Sequence, residues 1–403
     1  MEIALKVNAA CQQAAGRSRW GRTGRVRLVL LRVLAGVSQP FVPGPRPLGP
    51  APRLLVIRPD HLGDLLFATP ALQALRESLP AAHITALVGP WGQEIMARNP
   101  HLDTVRTCAF PWFDRQPRPS LLAPYRLLWH EAAALRTMRF DAALNLRPDF
   151  WWGAVLAYLA HIPVRLGYDV PACRPFLTTA VPLSKTNHDA ERNLTLVTVL
   201  TGATVDQTRE RWGLTFEPAE EERSWAARTL PGVGWLAVVP GAGTRAKQWT
   251  STGWAQVINA LTRTWGLQTV LVGGPAEVGV CRAIAGQVED PPLVLAGETT
   301  LGQLAALFGR CRLVVGIDSG PLNLAVAQGV PTVHLFGPAD PAQFGPWGQA
   351  GRHVVVQASL PCVPCRKLDW PLAEGEVTPC LAAIAPADVV AAAGRLLGES
   401  LGG

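Results

Sequence analysis

The sequence predicts an α/β protein made of two doubly wound parallel sheets. Three observations carry that expectation: a length of 403 residues, short and continuously apolar runs alternating with helical patterns, and a restart of that alternation after a charged interval. A domain usually holds about 100–200 residues, so the length favours two compact units with a cleft between them. Apolar residues make up 48% of the chain and charged ones 17%, which provides for buried cores and excludes a disordered chain. Strands that are apolar along their whole length are covered on both faces, as in parallel sheets joined by crossover helices.

The elements follow in order. Residues 1–50 form a basic arm and linker, 51–215 a first Rossmann-like domain and 216–403 a second. The first domain opens with "RLLVIR" (53–58) and a helical "DLLFATPALQALRESL", and continues through "HITALVG", "DAALNL" and "VRLGYD" with helical stretches between several of them. Near 204–235 the strand signal gives way to the charged "EPAEEERSWAARTL", read as a hinge region. The alternation then resumes with "WLAVVPGAG", "TVLVGG", "PLVLAG", "LVVGIDSG" and "TVHLFG", each separated from the next by helical patterns or short loops. In such sheets ligands bind beyond the carboxyl ends of the strands, at helix N-termini whose free N–H groups attract anions.

The net charge of +7 is local. Residues 1–50 carry eight Lys/Arg against Glu2, and the remaining 353 balance at 29 against 29. This excludes a basic nucleic-acid groove through the body, so no nucleic-acid partner is expected. "RVRLVLLRVLAGV" (25–37) is interrupted by Arg27 and Arg32 and falls short of the roughly 18 apolar residues a spanning helix needs. Arg22, Arg25 and Arg32 share one side of a helical wheel and Arg27 does not, which makes this stretch either a peripheral contact for an anionic membrane surface or a helix packed on the domain. The Pro- and Gly-rich 38–53 reads as a linker. Eight cysteines in a chain this long are no disulfide framework and suit a reducing cytoplasm.

Four places carry candidate chemistry. Asp64 follows the first strand through "PDHLG", where Gly63 is expected to permit a tight turn that aims the carboxylate; capping the helix and acting as a base are both open to it. Asp60 is the alternative carboxylate, its position four residues earlier favouring a place in the loop's own turn. In "VVPGAGTRAKQWTSTGW" (238–254), the small-residue loop of Gly241 and Gly243, Lys247 and a Thr-Ser-Thr helix start offer amides, a cation and hydroxyls that suit a diphosphate without being a P-loop; an ordinary surface lysine is the alternative. In "VVGIDSGPLNLAVAQGVP" (314–331), Asp318, Ser319, Gly320 and Pro321 lead from a strand into a helix whose first amides can meet an anion, or which these side chains cap. Glu277 in "LVGGPAEVG" is placed to accept ribose hydroxyls.

No Asp-x-Asp pair and no His/Glu cluster with metal spacing occurs, which disfavours a metal-assisted reaction. Cys362, Cys365 and Cys380 are three thiols that lack a local fourth ligand; reduced structural cysteines are the default and a zinc site the alternative. The absence of Gly-x-Ser-x-Gly and of Gly-x-Gly-x-x-Gly after the first strand disfavours esterases and dehydrogenases.

Taken together, "RPDHLGDLLFATPAL", "DAALNLR" with "RLGYD", "HDAERNLTLV", "PGAGTRAKQWTSTGW", "GGPAE" and "GIDSGPLNLAVAQGVPTVHLFGP" resemble glycosyltransferase family 9, the ADP-heptose:lipopolysaccharide heptosyltransferases, over about 53–397. The resemblance implies a GT-B fold and an inverting, metal-independent glycosyl transfer with no cofactor. It also implies a nucleotide-sugar co-substrate, ADP-linked, and a lipid-linked or oligosaccharide acceptor. It makes Asp64 the catalytic base, Lys247 a phosphate-binding lysine, Glu277 a ribose ligand and Asp318 to Leu322 the donor phosphate loop, with Gly243 and Thr244 beside it. Arg58, Gly63, Arg147 and His188 fall on the acceptor or phosphate side, and Arg192 shares a family segment with His188. Asn323 stands where the family usually has His, and Trp370 where many relatives carry a cysteine; both leave the donor sugar open. A nucleotide-sugar epimerase on the same scaffold and a non-catalytic sugar-nucleotide-binding protein are the alternatives.

Overall fold

A computed structural model of the chain describes residues 22–114, 120–373 and 375–399. Residues 1–21 of the basic arm lie outside the described residues, as do the side chains of Arg22, Arg25 and Arg27. The described chain divides into two compact units, one ending at Trp212 and the other starting at Gly213.

The first unit holds six parallel strands: β1 (Arg53–Arg58), β2 (His83–Val88), β3 (Thr104–Thr107), β4 (Ala142–Asn145), β5 (Val164–Tyr168) and β6 (Thr179–Val181). They are ordered β3-β2-β1-β4-β5-β6, with Leu54 opposite both Ile84 and Ala142 in register. The second unit contains β7 (Trp235–Val239), β8 (Gln268–Leu271), β9 (Leu293–Val294), β10 (Cys311–Ile317), β11 (Thr332–Phe336) and β12 (His353–Gln357). Their order, β12-β11-β10-β7-β8-β9, repeats that of the first sheet. In each sheet the chain starts at a central strand, winds to one edge, and returns to the centre to wind the other way. The reversals lie between β1 and β4 and between β7 and β10, where a doubly wound sheet leaves room for a ligand at its carboxyl end. The two α/β sheets are those the sequence predicts.

Central strands are buried along their whole length and edge strands are not. β1 and β7 present continuous buried runs, whereas all of β12 and most of β3 and β6 are partly open. Those three edge strands are short and partly open, β3 and β6 carry mixed residues, and the sequence reading passes over all three. The division between the two units, at 212/213, falls within the 204–235 interval read as the hinge region, and part of its charged segment is helical. Glu220–Thr229 is a helix of the second unit, with three glutamates in its first turn, where the helix dipole favours them, and Ala226 buried.

The helix Leu62–Ser78 after β1 contains Pro70. Proline cannot donate to the Leu66 carbonyl one turn earlier, and the Thr69 hydroxyl donates to that carbonyl instead at 2.7 Å. The Thr-Pro step is therefore accommodated inside a continuous helix.

Candidate functional site

In the first unit the reversal point gathers a charged cluster. β1 ends on Arg58, the helix Leu62–Ser78 starts four residues later, Arg147 follows β4, and the helix Asp189–Thr201 packs against Leu62–Ser78. Arg58 is buried, and its guanidinium lies 2.7 Å from Asp189 Oδ2, 2.7 Å from Asp60 Oδ2 and 3.6 Å from Asp64 Oδ1. It also donates to the Leu146 carbonyl at 3.0 Å. Burial alone would lower its pKa, and Asp189, Asp60 and Asp64 more than reverse that. Arg58 is thus a permanently charged pillar, enclosed among carboxylates.

Asp60 is not the turn residue the sequence reading expected. Its side chain is 2% exposed, and it bridges Arg58 and Arg147, the latter donating directly to Oδ1. Buried Arg58 and partly exposed Arg147 share this anion, and their need of it outweighs any turn preference. Gly63 differs as well. It lies inside the first turn of the helix and its φ is not positive, so the bend into the helix is made at His61, the residue before the helix, with φ −96° and ψ −175°. A helical conformation asks nothing special of glycine there.

Asp64 occupies the third helical position and is part of no cap hydrogen bond. Its side chain is 34% exposed, the most open carboxylate around Arg58. Burial and then the Asp60 charge push its pKa from 3.8 up to about 7, while Arg58 and Arg147 pull it down. Water reaching its exposed third opposes the effect of burial, so upward is the direction that stands. A carboxyl that titrates near neutral pH and remains open to an incoming hydroxyl has the properties of a general base.

His188 caps the helix Asp189–Thr201. Its Nδ1 accepts from the Ala190 N–H at 3.1 Å, and its own N–H donates to Glu191 at 3.1 Å, which completes a capping box. Its ring meets Phe67 edge-on with centroids 4.8 Å apart. Arg192 is buried on the same helix. Sequence reasoning quoted this stretch but missed Asp189 and Asn193. Asp189 is Arg58's partner, and Asn193 donates to the Phe67 carbonyl at 3.1 Å, tying the helix to the one that carries Asp64. The Asp one position after a capping residue was the available signal.

In the second unit the reversal point lies between the loop after β7 and the end of β10. Lys247, in a single 3-10 turn, is half-buried, and its Nζ lies 2.6 Å from Asp318 Oδ2. Ser319 precedes the helix Gly320–Ala327 but makes no cap bond, and its hydroxyl is buried without a hydrogen-bond partner among the described residues. Pro321 occupies the first turn, and Leu322 and Asn323 are buried behind it. A cation, a free hydroxyl and unbonded helix amides at one place can hold a phosphate.

Glu277 is seated in glycines. A Cβ on Gly241 would fall 2.0 Å from its Cγ, and one on Gly273 would fall 2.8 Å from its Cβ. Its Oε2 accepts from the Gly274 N–H at 2.7 Å. Glycine at 241 is therefore required by the approach of Glu277, whereas Gly243 has open space around it. The Thr244 hydroxyl donates to the Leu368 carbonyl at 3.0 Å, which fixes the loop on the 361–378 segment. In that segment Cys362 and Cys365 are half-buried, Cys380 just beyond it is buried, and none of the three is in a disulfide among the described residues. Among the described residues no three His, Cys, Asp or Glu side chains gather as a metal ligand set.

The family model for glycosyltransferase family 9 (heptosyltransferase) matches residues 128–373, a range that includes Arg147, His188 and every donor-side candidate. Lipopolysaccharide heptosyltransferase 3 of Escherichia coli is 28% identical over 295 residues, covering 71% of this chain and 83% of the relative. A family 9 glycosyl transferase from Veillonella parvula DSM 2008 superposes with a TM-score of 0.72 at 28% identity, over 86% of this chain and 97% of that one. The Escherichia coli ADP-heptose lps heptosyltransferase II superposes with a TM-score of 0.69 at 22% identity, over 87% and 99% of the two chains. Two repeated doubly wound sheets, charged clusters at both reversal points and a family match across more than half the sequence agree: this chain is a glycosyltransferase and belongs to glycosyltransferase family 9, the heptosyltransferases.

Proposed function

We propose that this enzyme transfers a heptose from an ADP-linked donor to a hydroxyl of a lipid-linked lipopolysaccharide-core acceptor, with inversion and without a metal, at the cytoplasmic face of a membrane. The observation that carries the reading is Asp64, a partly exposed carboxyl held among Arg58, Asp60 and Arg147 with its pKa raised to about 7. The names of the relatives support the sugar and the acceptor class.

Each residue has a role. Asp64 takes the proton from the acceptor hydroxyl as that oxygen forms a bond to the anomeric carbon and the bond to the diphosphate oxygen breaks. Lys247, the Ser319 hydroxyl and the first amides of the helix Gly320–Ala327 hold the departing ADP. Lys247 exchanges Asp318 for phosphate, and Asp318 keeps the ammonium in place when no donor is bound. Glu277, with one oxygen fixed on the Gly274 amide, presents its carboxylate to the ribose hydroxyls. The free Ser319 hydroxyl and the Lys247 charge supply leaving-group stabilisation that would otherwise ask for a metal.

Lys247→Ala removes one charge-assisted contact and leaves Asp318 facing the phosphate. ADP affinity should fall about ten- to a hundredfold, for a contact of about 1.5–3 kcal/mol. Isothermal titration calorimetry reads this directly, and unchanged affinity would remove Lys247 from the donor site. The function as a whole is tested by a panel of ADP-, GDP-, UDP- and dTDP-sugars scored by thermal shift and then by transfer. ADP-heptose should stabilise the protein most and alone support turnover. Turnover of a sugar nucleotide to an isomer without acceptor would establish the epimerase instead.

A further inference from the structure

The helix Arg22–Ser38 is apolar on two opposite faces. Leu31 and Ala35 are buried in the core of the first unit. Ser38 Oγ lies 2.9 Å from the Tyr158 hydroxyl, seating the helix beside the fully apolar helix Trp151–Leu159. The opposite face, Val29, Leu30, Val33 and Val37, is 57–71% exposed, and Phe41 just beyond is 76% exposed. Folding uses only the first face, so this second stripe is left without a partner among the described residues.

A second apolar set lies on the same side of the sheet. The helix Ala123–Thr137 packs on Trp151–Leu159, its Leu128 and Ala132 joining the core cluster that holds Leu31 and Ala35. Its outward residues Tyr125 and Trp129 are 46% and 62% exposed, and Leu121 before it is 91% exposed. The two helices thus pack on one core cluster, and both leave large apolar side chains exposed.

The accompanying charge is of one sign. Arg22–Ser38 contains four arginines and no acid. By helical spacing, positions 25 and 32 border one edge of the exposed stripe and position 27 the other, and Arg32 is exposed. Ala123–Thr137 adds exposed Arg126 and Arg136, its sole acid being the half-buried Glu131. Where Arg22–Ser38 ends, a cavity of about 370 Å³ is bordered by Pro43, Tyr158 and Arg165. The Arg165 guanidinium donates to the Phe176 and Pro43 carbonyls at 2.8 and 3.2 Å and pairs with no carboxylate among the described residues. Apolar stripes edged by arginines match the interface of a bilayer, where side chains enter the acyl boundary and guanidinium groups meet phosphates. Among the described residues no helix is long and apolar enough to cross a membrane.

We infer that the outer faces of Arg22–Ser38 and of the 121–129 segment form one docking surface for an anionic phospholipid bilayer. A lipid-linked acceptor, as proposed above, gives this surface its use, but the evidence for it is independent of that reading.

The test is co-sedimentation of the full chain with phosphatidylcholine vesicles, with and without phosphatidylglycerol. Binding should be about tenfold stronger with the anionic lipid and should fall as salt rises. Val33→Asp with Val37→Asp, and separately Trp129→Asp, should each lower vesicle binding about tenfold or more while ADP affinity and transfer to a short water-soluble acceptor stay at wild-type level. Equal binding to both vesicle types, or variants that bind like wild type, would overturn the inference. A concentration-dependent dimer abolished by the same variants, in a protein that binds no vesicles, would give the face to a second copy and overturn it too. In the wild-type protein, no vesicle binding with transfer intact refutes this inference alone; no transfer with vesicle binding intact refutes the proposed function alone.

Discussion

Asp64→Asn should lower the turnover number about a hundred- to ten-thousandfold while ADP affinity stays within about twofold, because the amide keeps the shape and polarity of the carboxyl but cannot take a proton. The wild-type rate should also fall as pH drops through about 7, where the raised Asp64 pKa places loss of the base form. That acidic limb should vanish in the variant's residual activity. The same shift acts against stability. The folded carboxyl holds its proton above the unfolded value of 3.8, so its contribution is full below about pH 4 and is lost as pH rises to about 7. Near-normal turnover by Asp64→Asn, measured beside calorimetry of ADP binding, would end its role as base.

Arg58→Met should destabilise the first unit by about 3–5 kcal/mol, since it leaves Asp60 and Asp189 buried with one fewer cation between them. Arg147 still serves Asp60, and Asp189 loses its 2.7 Å partner outright. The measurement is urea denaturation followed by tryptophan fluorescence, with ADP absent. Adding Asp189→Asn to the variant should restore part of the loss, because the uncompensated charge is then gone. A change under about 1 kcal/mol would show that water reaches the cluster and that the enclosure described here is wrong. Arg58 thereby differs from Asp64: its removal should be read in folding, and that of Asp64 in chemistry.

The fold was legible to the extent that burial is written into composition. β1, β2, β4 and β5, and the central strands of the second sheet, are mostly apolar and mostly buried because helices cover both faces. β3, β6 and β12 lie at sheet edges and are short and partly open; β3 and β6 carry mixed residues, and β12 has three valines between His353 and Gln357. On the site, sequence order pointed to Asp64, Lys247 and Asp318 because each follows a central strand. The Lys247–Asp318 contact joins positions 71 residues apart and becomes visible only once β7 and β10 pair. Asp60 and Asp189 were passed over for a related reason. A carboxylate after proline or beside a helix cap reads as local turn chemistry until a buried arginine from β1 is found next to it. Gly241 was noticed as a flexible loop residue, yet its cause is the side chain of Glu277, 36 residues downstream.

The central claim is a single displacement at the anomeric carbon, with Asp64 as base and no metal. It is tested most directly by the proton NMR spectrum of the product formed from ADP-heptose and a soluble acceptor in the presence of a chelator. The expected product has the anomeric configuration opposite to that of the donor, formed at an undiminished rate. Retained configuration, or turnover that stops with the chelator and returns with a divalent cation, would contradict it.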